Sequence, residues 1–134
     1  MQAAEKKLVI EKGADFYLKI AVTEGIGTQK DLTGASVVMR IMKHNKEDGN
    51  IYYIQPNGEL TTTKYEFAGT VNDAPNGECS VLIDKDITSK FDTGVSSSDN
   101  VFMTEYNYFY TIDIVGAPNG EDMRILRGRC AVRV

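Results

Sequence analysis

One turn motif occurs three times in this chain and limits the folds that it can adopt. The segments 55–59, 74–78 and 117–121 each contain Pro-Asn-Gly-Glu, and together they hold all 3 prolines. Proline presets φ at the first central position of a turn, asparagine tolerates the second, and glycine takes the left-handed residue. This chemistry is typical of a type I turn with a bulge, which commonly joins antiparallel strands. The repeats therefore predict β-hairpins.

Between the turns, apolar residues alternate with other residues along the chain. Such alternation places one face of a strand on a core and the other toward solvent. The positions predicted to face the core are Phe16, Leu18, Ile20, Val22, Val37, Met39, Ile41, Cys79, Val81, Ile83, Tyr106, Tyr108, Tyr110, Ile112 and Ile114. The positions predicted to face solvent include Ser36, Arg40, Asn107, Thr111 and Asp113.

The C-terminal segment changes the parity of its apolar pattern. Met123 and Ile125 share one face, whereas the other face carries Leu126, Cys130, Val132 and Val134. A glycine inside a strand, here Gly128, often marks a bulge or a close backbone approach. We interpret 123–134 as one bulged strand with three outward arginines, Arg127, Arg129 and Arg133.

One short segment favours a helix. In 84–91, aspartates suited to an N-cap precede Ile87 and Phe91, which are spaced four residues apart. The polar segments 43–50 and 92–100 are predicted loops, the second of them mobile.

Short strands and turns dominate the rest of the chain. A small hairpin is predicted between Ile51–Ile54 and 61–67. About seven or eight short strands without a long helix predict an all-β fold, either a sandwich or a small barrel. The chain has 134 residues, which predicts a single domain spanning 1–134.

Charge and cysteine content exclude several classes of protein. A net charge of −4 argues against a general nucleic-acid binder, which is normally basic. The apolar stretch 8–10 is too short for the core of a signal peptide, so we expect synthesis in a cytoplasm. No run of residues approaches the length of a membrane span. In that setting Cys79 and Cys130 are predicted to be free buried thiols, although one disulfide between sheets is the alternative.

An ordered set of short segments spans nearly the whole chain. The set contains Lys12-Gly13-Ala14-Asp15-Phe16, Asp31-Leu32-Thr33-Gly34, Gly77-Glu78-Cys79-Ser80-Val81, Ile87-Thr88-Ser89, Tyr108-Phe109-Tyr110-Thr111-Ile112-Asp113-Ile114, the third Pro-Asn-Gly-Glu turn, and Arg124-Ile125-Leu126-Arg127-Gly128 with Val132. In this order the segments resemble the immunoglobulin-like domains of structural proteins of tailed bacteriophages, such as the N-terminal domain of baseplate upper proteins. The resemblance implies an immunoglobulin-like antiparallel β-sandwich of about seven or eight strands with one short helical turn.

The resemblance also implies a function. In that family the domain is an adaptor that attaches tail, baseplate or fibre components to their neighbours. We therefore expect a virion structural protein of the baseplate, tail, neck or capsid surface, assembled in the host cytoplasm. Its expected partners are other virion proteins in a symmetric or ring-associated oligomer, without a membrane, a specific nucleic acid or a cofactor.

Five residues are candidates for a protein interface. The arginines Arg127, Arg129 and Arg133 suit bidentate pairing with an acidic patch of a neighbouring subunit. A solvated strand face, or charge that protects a sheet edge, is the favoured explanation of these arginines. Tyr52 and Tyr53 lie in the small hairpin, and tyrosine is frequent at interfaces.

A carbohydrate-binding module that uses exposed tyrosines is the alternative function. The row Tyr106, Tyr108 and Tyr110 offers aromatic rings, but its alternation favours the core. One of these phenols is a candidate for the buried tyrosine corner of immunoglobulin-like domains. The alternative therefore depends on the tyrosines outside this row, Tyr52, Tyr53 and Tyr65.

Catalysis has little support in the sequence. The close carboxylates Asp84 and Asp86 are better explained by helix capping, and Glu121 and Asp122 by solvation of a turn. His44 has no neighbouring ligand or motif partner and is interpreted as a surface residue. No catalytic, cofactor-binding or metal-binding residue is predicted.

Overall fold

Two facing β-sheets form the structure, a computed structural model that describes residues 3–23, 27–91, 105–117 and 121–133. The larger sheet has eight strands and the smaller has three. The elements are β1 (Ala4–Glu5), β2 (Leu8–Glu11), β3 (Phe16–Ala21), β4 (Ser36–His44), β5 (Ile51–Ile54), β6 (Leu60–Thr61), β7 (Phe67–Ala68), β8 (Thr70–Asp73), β9 (Glu78–Ile83), α1 (Lys85–Thr88), β10 (Glu105–Ala117) and β11 (Glu121–Arg133). The predicted all-β sandwich is confirmed, with several two-residue strands beyond those expected.

The larger sheet is built around the long hairpin β10–β11. Its strand order is β1-β11-β10-β4-β5-β6, with β2 also pairing β11 and β7 also pairing β4. The smaller sheet has the order β3-β9-β8. Most pairs are antiparallel, but β1 and β2 both run parallel to β11. The two ends of the chain therefore lie side by side in one sheet.

Alternation places the core as the sequence predicts. The buried side chains between the sheets include Phe16, Val37, Met39, Ile41, Cys79, Val81, Ile83, Tyr108, Tyr110, Ile112 and Ile114. Leu18 and Ile20 pack against this cluster and are partly buried. Cys79 and Cys130 are buried free thiols, as favoured from the sequence.

The first two repeated turns have the predicted geometry. In the first, Gly58 N donates to the Gln55 carbonyl at 2.9 Å, and Gly58 has a φ of 85°. In the second, Gly77 N donates to the Ala74 carbonyl at 3.2 Å, and Gly77 has a φ of 72°. The central residues 118–120 of the third turn lie outside the described residues.

The C-terminal strand is bulged, but at a residue other than its glycine. Ile112 pairs with Leu126 and Asp113 pairs with Arg124, so Ile125 is the extra residue. This insertion causes the change of parity. Gly128 instead allows a close approach, because a Cβ there would lie 2.4 Å from the carbonyl oxygen of Lys6.

A buried phenol fixes the N-terminal segment at that approach. Tyr110 Oη donates to the Lys6 carbonyl at 2.6 Å, and Lys6 N donates to the Arg127 carbonyl at 3.0 Å. A tyrosine corner would bond to backbone a few residues upstream. Here the phenol instead joins distant parts of the chain.

The predicted helical turn is confirmed. Asp84 is the N-cap, and its side chain accepts from Asp86 N at 2.8 Å. Thr88 Oγ1 donates to the Ala14 carbonyl at 2.8 Å, which ties α1 to the segment before β3.

Two local predictions need correction. Lys43 and His44 belong to β4, so the loop is shorter than predicted. The second strand of the small hairpin is Leu60–Thr61, whereas Phe67 pairs with Met39 of β4. The predicted loop 92–100 lies outside the described residues.

Candidate protein interface

The outer face of the larger sheet carries one continuous cross-strand row. Across β5, β4, β10 and β11, Tyr53 pairs with Met42, Met42 with Phe109, and Phe109 with Arg129. Residues directly opposite each other in neighbouring strands share a face and interact. Met42 is buried, Tyr53 and Phe109 are half-buried, and Arg129 is exposed. The row thus runs from an aromatic ring through an apolar centre to a cation.

A second row lies beside the first. Arg40 pairs with Thr111, Thr111 with Arg127, and Arg127 with Glu5 of β1. Arg127 Nη2 lies 3.4 Å from a carboxylate oxygen of Glu5. This exposed ion pair contributes little to stability, so the Arg127 guanidinium can exchange it for a partner's carboxylate.

A buried carboxylate organises the arginines of this face. Asp113 accepts from Arg40 Nη1 at 2.8 Å and from Arg124 Nε at 2.9 Å. Arg40 Nη2 also lies 3.3 Å from Glu66. The Asp113 hydrogen bond raises the pKa of Arg124, so this guanidinium stays charged. The network fixes one end of Arg124 while 47% of its side chain stays exposed.

The prediction that Thr111 and Asp113 face solvent was wrong. Thr111 is 7% exposed and Asp113 is 8% exposed. Both lie on β10, which runs between β4 and β11, where long arginine side chains flank them. Among the described residues, Thr111 Oγ1 and Arg40 Nε have no hydrogen-bond partner.

The five predicted interface residues do not form one site. Arg127 and Arg129 lie on the outer face in neighbouring rows, as predicted, and Tyr53 joins them through the first row. Arg133 is exposed at the end of β11, where it pairs with Glu11 of β2. Tyr52 points to the opposite side of β5 because successive strand residues alternate.

Sequence reasoning missed Met42, Phe109 and Arg124 as members of this face. Phe109 lies between two core tyrosines, so period-two alternation already places it outward. The partners that complete the face come from β4 and β11, and only the register of the sheet brings them together. We call Tyr53, Met42, Phe109, Arg129, Arg127 and Arg124 the arginine–aromatic face.

The residues considered for catalysis are dispersed. Asp84 caps α1, as predicted, whereas Asp122 accepts from Gly116 N of β10 at 3.1 Å. Burial raises the pKa of Cys79 to about 11 and that of Cys130 to about 12, so both thiols stay protonated. Within the described ranges, no group of three His, Cys, Asp or Glu side chains is placed to hold a metal ion.

In the part of the chain that the structure describes, no helix is long and apolar enough to cross a membrane.

Comparisons with known proteins return only structural similarity. No family model and no curated protein matches the chain. Among solved structures, 16 chains match. One comes from a photo-crosslinking study of the multimeric cell-adhesive interactions of VGSC beta subunits. It is 11% identical, with 96% of this chain and 97% of that chain covered and a TM-score of 0.33. A similarity at this level carries no argument about function.

Proposed function

We propose that this chain is a virion structural protein of a tailed phage that joins other virion proteins through the arginine–aromatic face. The resemblance to phage immunoglobulin-like domains supplies the setting. The observation that carries the interface is the row from Tyr53 through Met42 and Phe109 to Arg129. Aromatic residues, methionine and arginine are enriched in protein interfaces, whereas lysine and glutamate are depleted.

The face suits a partner that presents carboxylates around an apolar side chain. Phe109 is half-buried and pairs with the buried Met42, so Phe109 supplies the accessible apolar centre. Such central residues give most of the binding energy of an interface. Arg124, Arg127 and Arg129 are exposed beside them. Guanidinium groups pair with carboxylates in a bidentate manner, which sets orientation as well as affinity. The mechanism is therefore shape and charge complementarity.

Reversing two charges of the face should remove the chain from assembled particles. The Arg127→Glu/Arg129→Glu double variant leaves Asp113 and its partners intact, so we expect it to fold. Two carboxylates facing an acidic partner repel it, and a loss of about 1.4 kcal/mol already weakens binding tenfold. We expect at least a tenfold loss of the chain from sedimented particles, measured by quantitative immunoblotting after expression of the variant during infection.

A matched control separates the face from the net charge of the protein. Lys19 and Lys90 are exposed outside the face, and the Lys19→Glu/Lys90→Glu double variant changes the net charge equally. It should enter particles at the wild-type level. Equal incorporation of both double variants would contradict the proposed interface, and circular dichroism checks that each is folded.

The alternative function, carbohydrate binding, is not supported by a pair of tyrosines on one surface. Tyr52 and Tyr53 point to opposite sides of β5, so their rings cannot contact one sugar chain together. Tyr17 is exposed, but it lies on the smaller sheet. A sugar site on the predicted hairpin must therefore use either Tyr52 or Tyr53 alone.

A further inference from the structure

A cleft lies at one end of the larger sheet, away from the arginine–aromatic face. Tyr52 pairs with Lys43 and Leu60 pairs with Ile54, which places all four residues on the core-facing side of the sheet. Ile54 is buried, whereas Tyr52 and Leu60 are half-buried. The cleft has a volume of about 570 Å³ and is lined by Lys43, His44, Asn45, Lys46, Glu47, Tyr52 and Leu60. This volume is typical of small-molecule sites, which span about 300–1,000 Å³.

Hydrogen bonds hold the turn beside the cleft in one conformation. Asn45 N donates to the Asn50 carbonyl at 2.9 Å, and Glu47 N donates to Asn45 Oδ1 at 2.9 Å. Asn50 N donates to Asp48 Oδ1 at 2.9 Å. The backbone that carries Asn45, Lys46 and Glu47 is thus ordered by its own bonds, which lowers the entropy lost when a ligand binds.

The aromatic wall of the cleft is fixed in the same way. Tyr52 Oη donates to Asp48 Oδ2 at 2.5 Å. This bond raises the pKa of Tyr52 and lowers the pKa of Asp48, so the phenol stays neutral and the carboxylate stays charged. The ring is held at its polar end and lines the cleft together with Leu60.

The charges around the cleft argue against an ionic ligand. Lys43 and Lys46 contribute two positive charges, and the carboxylates of Glu47 and Asp48 balance them. The other polar side chains that line the cleft are the amide of Asn45, whose Oδ1 already accepts from Glu47 N, and the imidazole of His44. A ligand that matches has an apolar face and a rim of neutral groups that both donate and accept hydrogen bonds.

A pyranose ring has this combination of surfaces. Its C–H groups form an apolar face that packs on an aromatic ring, and its hydroxyls donate and accept around the edge. We propose that the cleft binds a neutral sugar, with the ring stacked on Tyr52 and its hydroxyls bonded to the side chains of the 44–47 segment. This site is separate from the proposed assembly interface.

Titration with simple sugars tests the site directly. Methyl glucoside, methyl galactoside and N-acetylglucosamine are added to the isotope-labelled protein, with inorganic phosphate as an anionic comparison. We expect saturable NMR shift changes at millimolar concentrations of at least one neutral sugar, confined to 43–47, Tyr52 and Leu60. Absence of shifts with every sugar, shifts elsewhere in the chain, or a response to phosphate alone would overturn the proposal.

Two variants show whether Tyr52 is the stacking residue. Tyr52→Ala should lose the response at least tenfold, and Tyr52→Phe, which keeps the ring, should retain most of it. Tyr53→Ala is the matched control, because Tyr53 is the next residue and points to the other side of the sheet. A response that survives in Tyr52→Ala, or that is lost equally in Tyr53→Ala, contradicts the assignment.

Incorporation of Tyr52→Ala into particles should stay at the wild-type level, so failure of the sugar site and failure of the assembly role are distinguishable.

Discussion

Replacing Asp113 with alanine is expected to lower the free energy of unfolding by about 3 kcal/mol. The carboxylate joins Arg40 and Arg124, and only 11% of its side chain is exposed. Without it, the largely buried Arg40 loses its shortest ion pair and keeps the longer contact with Glu66. A buried charge with less compensation is costly because water does not replace the lost partner. Urea unfolding followed by circular dichroism measures the change.

Thr111→Val is the control for this prediction. Thr111 is buried in the neighbouring row, and its hydroxyl has no hydrogen-bond partner among the described residues. Valine keeps the branched shape and removes a desolvated polar group, so the free energy of unfolding should rise by about 1 kcal/mol. An unchanged urea midpoint for Asp113→Ala, or an equal loss in both variants, would show that the network does not stabilise the sheet.

Gly58→Ala should lower the free energy of unfolding by a similar amount, about 3 kcal/mol, from two causes. Gly58 has a φ of 85°, where a side chain strains the backbone. A Cβ at this position would also lie 1.9 Å from the carbonyl oxygen of Lys90, just after α1. Because the Cβ is fixed rigidly to its backbone and the carbonyl oxygen is itself backbone, the turn and the end of the helical segment must move apart. Urea unfolding measures this loss as well.

Gly49→Ala is a control that introduces the backbone strain without the steric clash. Its φ is 73°, and nothing lies within 4 Å of an added Cβ. Gly49→Ala should therefore cost only the backbone strain, about 1 kcal/mol. If Gly49→Ala and Gly58→Ala cost the same, the close packing of the first Pro-Asn-Gly turn against Lys90 has no energetic weight.

Local features of the fold were predictable from the sequence because local chemistry determines them. The prolines and glycines of 55–59 and 74–78 specify turns whose backbone accepts few other residues. Asp84 caps α1 through a bond that spans two residues. The alternation around Ile41 and Ile112 identifies the core side of β4 and β10 without knowledge of their partners.

Features that depend on register were not predictable. The sequence predicts a bulge or a close approach at Gly128 without identifying the neighbouring backbone. The structure shows that a side chain at Gly128 would collide with the backbone of Lys6, which lies near the other end of the chain. Phe67 pairs with Met39 and not with the hairpin that precedes it. Nothing in the sequence near either residue specifies these partners, since many loop closures of similar entropy compete.

The candidate interface also combines features that the local sequence predicts with features that depend on strand register. The outward direction of Arg127 and Arg129 followed from parity, and the structure confirms it. The burial of Asp113 did not follow, because a lone aspartate at an outward position is normally solvated. Arg40 and Arg124 come from the two neighbouring strands, and their convergence on one carboxylate exists only in the assembled sheet.

The assembly role is tested most directly by quantitative mass spectrometry of phage particles banded by density from the lysate that contains this chain. We predict that the chain is present in banded particles at a fixed ratio to the major capsid protein, as expected for a symmetric or ring-associated component. The ratio should persist through repeated banding and salt washing. Recovery of the chain only in the soluble fraction would contradict the proposed virion role and leave the sugar-binding cleft as the leading account of its function.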